Sequence, residues 1–567
     1  MRWFRMSAAM LGLAAVARTA PAAGQGEALA QLPDSVAHRV VAFYNTAATI
    51  RLAGESRLPA GARVTGNVAV LGGPFVLGGR IEGGVLVING DLRLQAGAEI
   101  TGGVTVVGGS VDGEALARIA GAIDAHPEPL RFRQDASGLV YAPPVASELS
   151  AGREFQFGRY DLLVAARHDY NRVEGLPVSI GPRFRIGRSN PTILEGLAIY
   201  RTSAGLRIDP DQMGYSLRVE QFLAGGGSAR IGLRAFSDIT AIEDRGVSER
   251  ENSLSTFVLH RDLRDAYERQ GWVAWFRYAR AGWPSDVTLE YRDERHDAVV
   301  PGGPWALFDN DEPWRPEPLI AEGTLRSITG RVVHDTRNEV VDPAAGWYIA
   351  SEVEQGLGGV LRRPAAAFFP PGLPPGDSVV PAAATRERFT HASIDVRRYV
   401  RLNPGARLGV RVFASGSTNG AALPAQRQHT LGGEGTLPGY AGFAFDCGAR
   451  DGQLSVGDDA FHPYYGCDRV ALVQLEYQAA FPFLARQLSA LGRDFDLEHL
   501  VRWVAFFDAG RAWNEPDALD GRKRGQGDFA ADAGIGARVG PVGVYWAFPL
   551  SSGGQGVNFF VRLGRRL

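Results

Sequence analysis

The only two cysteines of this 567-residue chain, Cys447 and Cys467, stand among acids and a histidine. With Asp446, His462 and Asp468 they could ligate a metal ion, because thiolate, imidazole and carboxylate are the usual zinc ligands. The spacing matches no zinc-site pattern, however, and the segment between the cysteines is rich in Gly and Asp. A disulfide is therefore the favoured prediction, and two free buried thiols are the remaining alternative.

Other residues with reactive side chains form no recognisable active site. Glu220, Glu290 and Glu476 lie on alternating segments, where a ladder of solvated charges is a better interpretation than general acid/base pairs. Neither a nucleophile elbow nor an HExxH motif occurs. The sequence therefore predicts no enzyme, no catalytic residue, no cofactor and no metal.

Two short motifs carry the most information. LGGEGTLPGY, Leu431–Tyr440, is a glycine-rich loop that ends in an aromatic residue, and FFDAG, Phe506–Gly510, is a strand with one acid. Together they resemble the surface antigen (BamA/TamA-like) family of outer-membrane β-barrels, in which a long loop folds back into the lumen. The resemblance assigns the lumen-loop motif to Gly432, Gly433, Gly435, Leu437, Pro438, Gly439 and Tyr440, and the barrel-wall motif to Phe506, Asp508 and Gly510.

One position of the loop departs from the family pattern. Members of the family carry Arg where this chain has Pro438, and that Arg meets an acidic residue on the barrel wall. Proline cannot make a charge-assisted hydrogen bond and also lacks a backbone donor. Asp508 is therefore expected to lie near the loop without a motif Arg and to need another partner, for which Arg407, Arg411 and Arg511 are candidates.

Two further segments extend the resemblance. DTRNEVVDPAAGW, Asp335–Trp347, resembles a family turn between two mid-barrel strands, and its Asp, Asn, Pro and Gly residues suit a turn. GPVGVYWAFPL, Gly540–Leu550, resembles the penultimate strand. Family members that insert or translocate proteins carry POTRA modules before the barrel, whereas this chain has a different pattern there.

The N-terminus, residues 1–24, is predicted to be a secretory signal peptide. Arg2 and Arg5 precede a short apolar run, Ser7–Ala17, and a stretch of small residues follows. The run is too short to span a bilayer. Export to an oxidising compartment favours the disulfide between the two cysteines.

A glycine-rich repeat precedes the barrel. Three similar segments start at Arg63, Arg80 and Glu99, each with β-branched residues between glycines, at a period of about 18 residues. The pattern predicts a short β-solenoid over 63–113 and resembles the bactofilin-like, polymer-forming solenoids. Residues 25–62 are expected to be a helical cap or linker, with a helix from Asp34. Residues 114–150 are expected to hold a hairpin and linker, with Gly113–Ile123 as the second cap.

From residue 151 to 567, apolar and polar residues alternate as in β-strands. Tyr215, Leu217 and Val219, for example, alternate with charged or polar neighbours. Because the polar faces carry charges of both signs, a water-filled lumen explains them better than a soluble sandwich does. Aromatic residues near strand ends, Trp272, Trp275, Tyr278, Trp283, Tyr545, Trp546 and Phe548, are typical of membrane interfaces.

The fold class is thus all-β: a ~16-stranded antiparallel transmembrane β-barrel preceded by a short periplasmic β-solenoid. Long loops are expected at Pro301–Pro318, Arg362–Ala384 and Ser415–His462, and a helical insert at Asp262–Gly271. The location is predicted to be the outer membrane of a Gram-negative bacterium, with the N-terminal domain in the periplasm.

Composition narrows the partners and the function. The formal net charge of −2 gives no basic field for nucleic acid. The expected partners are outer-membrane lipids, outer-membrane protein clients or cell-wall components, and other copies through the solenoid. The first hypothesis is a barrel of the assembly and translocation superfamily. The alternatives are a structural barrel that tethers the solenoid, and a passive channel or receptor.

Overall fold

The structure is a computed structural model of the chain. It describes residues 32, 34–126, 130, 132–135, 138–141, 151–156, 160–166, 170–187, 190–205, 213–223, 228–243, 246–279, 284–308, 312–337, 343–369, 379–403, 405–445, 447, 452–463, 466–480, 501–514, 528–551 and 556–567. The predicted signal peptide lies outside these residues.

Thirteen short strands form a β-solenoid with three parallel sheets, in the orders β1-β4-β7-β10-β13, β2-β5-β8-β11 and β3-β6-β9-β12. The strands are β1 Ile50–Ala53, β2 Ser56–Leu58, β3 Arg63–Thr65, β4 Val68–Leu71, β5 Phe75–Leu77, β6 Arg80–Glu82, β7 Val85–Ile88, β8 Leu92–Leu94, β9 Glu99–Ile100, β10 Val104–Val107, β11 Val111–Asp112, β12 Arg118–Ile119 and β13 Ile123–His126. The coils extend beyond 63–113 at both ends, and the segment expected to be the second cap contributes β12 and the start of β13.

The repeat in the sequence is the stacking unit of the solenoid. Arg63, Arg80 and Glu99, which start the three repeats, are register partners in one ladder. Glycine recurs where coils approach most closely, since a Cβ placed on Gly90 would lie 2.1 Å from the carbonyl oxygen of Gly73. Aliphatic side chains from successive coils fill the interior. Each coil therefore buries its apolar residues only because its neighbours stack on it.

Helix α1, Asp34–Asn45, packs along one side of the solenoid rather than over its end. The side chain of Asn45 bonds both the amide and the carbonyl of Leu139, 2.9 and 2.7 Å away. Leu139 belongs to a hairpin of β14, Phe132–Asp135, and β15, Gly138–Tyr141, in which Asp135 faces Gly138 as expected from the sequence. Among the described residues, three short 3-10 helices also occur: Glu114–Leu116, Thr202–Ala204 and Ala425–Arg427.

The rest of the described chain is dominated by one antiparallel sheet of eighteen strand segments, and a four-stranded sheet, β27-β26-β31-β32, lies beside it. The segments are β16 Ala151–Gln156, β17 Tyr160–Ala166, β18 Pro177–Ile186, β19 Thr192–Arg201, β20 Met213–Phe222, β21 Ala229–Ala241, β22 Ala266–Ala279, β23 Ser285–Asp297, β24 Glu322–Asp335, β25 Gly346–Arg363, β26 Ala366–Phe369, β27 Val379–Val380, β28 Ala383–Thr385, β29 Thr390–Asn403, β30 Ala406–Ser417, β31 Gln453–Val456, β32 Asp459–Phe461, β33 Arg469–Ala480, β34 Val501–Trp513, β35 Ala530–Val539, β36 Val542–Pro549 and β37 Asn558–Leu563. Because β28 and β29 lie end to end along β25, they make one crossing, and the sheet has seventeen strands. This is one more than the expected sixteen, and the first strand, β16, has only six residues.

The two faces of this sheet have inverted polarity compared with a soluble protein. Leu217 is 56% exposed, whereas Glu220 on the opposite face of the same strand is 1% exposed. The pattern holds across the sheet: exposed apolar residues include Ile180, Leu233, Leu289, Val353 and Ile535, and buried charged residues include Arg183, Glu195, Arg230, Glu294 and Arg407. An apolar exterior around a polar interior is the arrangement of a membrane-spanning barrel, so the all-β barrel prediction is confirmed.

Side chains from distant strands meet inside the curved sheet. Arg427, from the loop after β30, bonds Glu354 of β25 at 2.7 Å and the hydroxyl of Tyr267 on β22 at 2.8 Å. The two aromatic neighbours Tyr545 and Trp546 point to opposite sides: Trp546 is exposed, and Tyr545 is buried in the lumen. Tyr545 is therefore not an interface residue, contrary to the expectation from sequence.

The connections differ in part from the expected loops. Residues predicted as two separate long loops supply β26, β27, β31 and β32, which form the small sheet. The predicted helical insert at Asp262–Gly271 is wrong, because β22 begins at Ala266 and pairs with β21. The helix is α2, Glu249–Leu259, which starts at a capping box made by Ser248 and Glu251. The family turn at Asp335–Trp347 does join β24 to β25.

The solenoid contacts one end of the barrel. Glu114 lies 3.5 Å from Arg401, just before the turn between β29 and β30. The loop that follows β30 therefore starts at the opposite end of the barrel. Neither α-helix of the described chain is long and apolar enough to cross a membrane.

Candidate lumen-loop site

The loop between β30 and β33 is held to the barrel wall by an apolar cluster. Leu431, Leu437 and Tyr440 of the loop are buried against wall residues that include Leu472 and Ala512. Cys447 and Cys467, which belong to the same cluster, form a disulfide with a Cα–Cα distance of 5.0 Å. The disulfide prediction is confirmed, and the metal-ligand and free-thiol alternatives are wrong because both sulfurs are consumed.

Glycines let the loop turn tightly and approach its neighbours. Gly432 and Gly433 have φ of 112° and 85°, in the left-handed region that disfavours other residues. At Gly435 a Cβ would lie 1.8 Å from the carbonyl oxygen of Gly246, which precedes helix α2. The motif therefore requires glycine for two separate reasons: the backbone angle at Gly432 and Gly433, and the close contact at Gly435.

The tip of the loop bonds the strands nearest the end of the sheet. The amide of Gly439 donates to Oδ2 of Asp532 on β35 at 2.6 Å. Asn558 of β37 donates from its side chain to the carbonyl of Pro438 at 2.9 Å. The Tyr440 hydroxyl donates to the carbonyl of Ala531 at 2.9 Å. The tip thus contacts the wall through backbone groups and one hydroxyl rather than through a charged side chain.

Asp508 lies beside this tip and has a cationic partner from another part of the chain. It is fully buried, directly opposite Asp532 in the ladder between β34 and β35. Arg566, three residues past the end of β37, forms an ion pair with its carboxylate. The guanidinium of Arg566 also stacks 3.6 Å from the ring centre of Phe506. The chain therefore supplies a cation to this acid from its tail, where the family pattern supplies it from the loop.

The three arginines expected from sequence have different bonds. Arg407 donates to Gln478 at 3.0 Å, Arg411 donates to Asp395 at 2.8 and 3.0 Å, and Arg511 stacks on Trp513. The expectation that one of them is the partner of Asp508 is corrected. No local pattern could have indicated Arg566, because it lies 58 positions away from Asp508.

The other two residues of the wall motif contact the same region. Phe506 packs with Tyr545 and Phe560 in an aromatic cluster on the lumen side. A Cβ on Gly510 would lie 2.9 Å from Cδ1 of Leu431, so the missing side chain leaves room for the loop. The spacing aromatic-x-Asp-x-Gly places all three on one face of a strand, since side chains alternate across it.

Helix α2 contacts the last strand from inside. Glu251 accepts hydrogen bonds from Nε and Nη2 of Arg562, at 2.8 and 3.0 Å, and from the amide of Leu563 at 2.6 Å. Burial would raise the pKa of Glu251, but the bonds and charge of Arg562 outweigh it, so that pKa lies below its usual value. Sequence reasoning missed this site, although the Ser-x-x-Glu capping box at Ser248 could have placed the helix.

We call the region between β37, the last strand of the sheet, and its first strands, β16 and β17, the seam. Within the described ranges, β37 pairs only with β36, and no register joins it to β16 or β17. The lumen loop and helix α2 both contact the inner face of β37. The site is therefore a cluster of internal contacts at the last strand.

Comparison with known protein families finds a match in the C-terminal part of the chain. Residues 321–559 match the family model described as Omp85 superfamily domain. The C-terminal part of the chain is thus similar to the Omp85 superfamily domain. This segment includes the lumen loop, the wall motif and most of β24 to β37, and the predicted resemblance to BamA/TamA-like outer-membrane barrels is confirmed.

Solved structures with a similar fold include relatives of low identity. BamA from Haemophilus ducreyi lacking POTRA domains 1–3 is 14% identical, with a TM-score of 0.40 over 76% of this chain and 74% of that chain. CdiB from Escherichia coli is 12% identical, with a TM-score of 0.34 over 77% and 67%. CdiB from Acinetobacter baumannii is 11% identical, with a TM-score of 0.30 over 72% and 60%. No curated protein matches the chain.

The barrel also encloses a polar cavity of about 870 Å³. Charged residues of both signs line it, including Arg292, Glu352, Asp395 and Arg397, and His429 lies beside them. The imidazoles of His429 on the loop and His391 on the wall meet there, with their Nε2 atoms 3.2 Å apart. Both arginines that bind helix α2 and Asp508 lie beyond residue 559, outside the segment that matches the family.

Proposed function

We propose that this protein works in outer-membrane biogenesis, where it inserts or exports membrane components at the seam. The observation that carries the proposal is the last strand: β37 has one paired edge, and among the described residues its other edge pairs with no strand. An unpaired edge offers backbone donors and acceptors to an incoming strand. A barrel that only enclosed a lumen would be expected to pair this edge with another strand.

The inner contacts of β37 support the same proposal. The lumen-loop tip and helix α2 bond Asn558, Arg562 and Leu563, so the strand is positioned by polar contacts from within as well as by β36. The proposal assigns no catalytic reaction to the protein.

We propose that the solenoid occupies the periplasmic end of the barrel. Its contact between Glu114 and Arg401 supports that placement, because the turn beside Arg401 is short, as periplasmic turns of such barrels are. The solenoid then takes the position that POTRA modules hold in family members. Client capture by those modules does not carry over to this chain.

The test compares two strains. One lacks the whole protein, and the other carries a chain without residues 50–126, the strands of the solenoid. The proposal expects lower amounts of folded outer-membrane barrels, or altered outer-membrane lipid, in the first strain. Unchanged protein and lipid profiles in that strain would contradict it. A defect of equal size in the second strain would show that biogenesis also needs the solenoid.

A structural role is the second candidate, and the first coil of the solenoid favours it. All four residues of β1 are exposed, including Ile50 and Leu52, and β1 pairs on one side only in the described chain. A strand from another protein or another copy could pair there. The purified full-length protein should then form oligomers or retain a cell-wall partner, and the chain without residues 50–126 should not.

A passive channel or receptor is the third candidate, and the polar cavity favours it. An open lumen would conduct ions steadily in a planar bilayer. The proposed function instead expects small or intermittent currents, because the lumen loop and helix α2 occupy the interior.

A further inference from the structure

Helix α2 bonds both sides of the seam. At its first turn, Glu251 bonds Arg562 and the amide of Leu563 on the last strand. Two residues further on, the hydroxyl of Ser253 accepts a hydrogen bond of 2.8 Å from the amide of Tyr170, in the loop that follows β17. The ring of Phe257 packs edge-on against Tyr170, with centroids 5.4 Å apart. One short helix thus connects the last strand with the opposite end of the sheet.

The contacts of this helix are polar where it is buried and apolar where it is exposed. Its buried residues are Glu251, Asn252 and Thr256, and Asn252 bonds Asp262 at 2.9 Å. Leu254, by contrast, is an exposed apolar side chain on the same helix. A helix that belonged to a permanent core would show the reverse pattern. This helix is therefore attached to the barrel mainly by directional polar bonds.

We propose that helix α2 is an internal bolt that holds the seam shut, and that its release from Arg562 permits β37 to move. The inference rests on the proposed function at the seam. Arg562 and Glu251 are both buried, and separating them leaves two charges without compensation. The last strand therefore cannot move away while the helix stays in place. Displacement of α2, by a client or by movement of the loops, comes first.

Native-state hydrogen exchange of the full-length protein in lipid nanodiscs tests the bolt. Glu251→Gln keeps a capping-box residue and removes the charge, so the helix itself should persist. Amides of β37, above all that of Leu563, should exchange about ten- to a hundred-fold faster in this variant. Glu249→Gln is the matched control, because it changes the same residue type in the same turn, at a side chain that is 62% exposed. It should leave β37 unchanged.

A charge exchange separates the bolt from general damage. Glu251→Arg and Arg562→Glu should each accelerate exchange in β37, and the two together should restore much of the protection. Exchange in β37 that is unchanged in Glu251→Gln, or equal in the Glu249→Gln control, would overturn the inference. So would a double variant that is no better than the single ones.

The measurement does not depend on clients, so it distinguishes the two proposals. Faster exchange in Glu251→Gln, together with normal outer-membrane profiles in cells that lack the protein, would support the bolt and contradict the biogenesis role. Unchanged exchange, together with disturbed profiles, would contradict the bolt and support the role. When both hold, cells with Glu251→Gln should also admit large antibiotics that the wild-type outer membrane excludes, because the seam opens more often.

Discussion

Asp508 on the barrel wall and Arg566, three residues after the last strand, form a buried ion pair inside the lumen. The pair fastens the tail of the chain to β34, three strands before the last one. Pro438, at the motif position where the family has Arg, accepts a hydrogen bond from Asn558 through its backbone carbonyl. The wall acid is thus retained, and the cation reaches it from another direction.

The first prediction concerns this pair. Arg566→Ala should lower the free energy of unfolding by about 3–5 kcal/mol, because it leaves the buried Asp508 without its counter-charge. Urea unfolding followed by the gel mobility of the folded barrel measures the change. Asp508→Asn combined with Arg566→Ala should be less damaging than Arg566→Ala alone, since no uncompensated charge remains. A loss below about 1 kcal/mol in the single variant would contradict a buried ion pair.

The second prediction tests whether the tail replaces the loop arginine. Pro438→Arg should clash in the wild-type protein, because position 438 is buried and Arg566 already forms an ion pair with Asp508. In the Arg566→Ala background, the same substitution should recover a large part of the lost stability. It should recover nothing when Asp508 is Asn. Equal effects of Pro438→Arg in all three backgrounds would show that the loop position and the tail are not equivalent.

The third prediction concerns the close approach at Gly435. Gly435→Ala should displace the loop from helix α2 and cost about 1–3 kcal/mol, because its methyl group would overlap the Gly246 carbonyl. Gly442→Ala is the control in the same loop, where a Cβ meets no atom within 4 Å. Limited proteolysis of the folded barrel should cut the loop faster in the first variant only. Equal cleavage of both variants would contradict the contact.

The fourth prediction concerns the disulfide. Replacing Cys447 and Cys467 by Ser should lower stability by about 3 kcal/mol, because the bridge closes a loop of twenty residues. Reductant should bring the wild-type protein to the same unfolding midpoint and leave the double variant unchanged. A double variant as stable as the oxidised wild type would show that the apolar cluster holds the loop without the bridge.

The fifth prediction is a pH dependence at the loops. Glu317 lies in the connection between β23 and β24, buried 2.8 Å from Arg172. Burial raises the pKa of Glu317 to about 8; Arg172 and Arg315 oppose this effect, and Asp265 and Asp262 add to it. The folded state therefore holds the proton more tightly than the unfolded chain, whose pKa is the ordinary 4.5.

The sign of the pH dependence follows from this difference between the pKa of Glu317 in the folded and unfolded states. The stability contributed by protonated Glu317 is complete below the ordinary pKa, falls as pH rises through the interval, and levels off above about 8. Unfolding measured from about pH 4 to about pH 9 should show this slope. Glu317→Gln, which stays neutral, should flatten it. An identical slope in the Gln variant would assign the dependence to other groups.

Much of the fold could be predicted because it depends on local patterns. Alternation along strands distinguishes a barrel, and a repeat of about 18 residues distinguishes a solenoid, whatever contacts form later. The disulfide followed from the presence of only two cysteines. Aromatic neighbours such as Tyr545 and Trp546 show the limit, because alternation assigns them to opposite faces and composition alone does not say which faces lipid.

Errors arose where tertiary contacts override local preference. Asp262–Gly271 has helical residues, but Ala266 onward pairs with β21 and extends a barrel strand. The true helix, Glu249–Leu259, has a weak apolar pattern because its buried residues are polar. A helix fixed by bonds to Arg562 and Asp262 cannot be recognised from apolar periodicity.

By itself, the sequence determined that this chain is a membrane barrel with a glycine-rich repeat before it, because strand periodicity and close-packed glycines are properties of neighbouring residues. It also determined that the loop lacks its arginine. Only the tertiary structure decided which residues supply the positive charge that the loop lacks. Arg566 pairs with Asp508, and Arg562 pairs with Glu251, across the lumen. They meet because the sheet curls and brings its last strand beside residues that are far away in sequence.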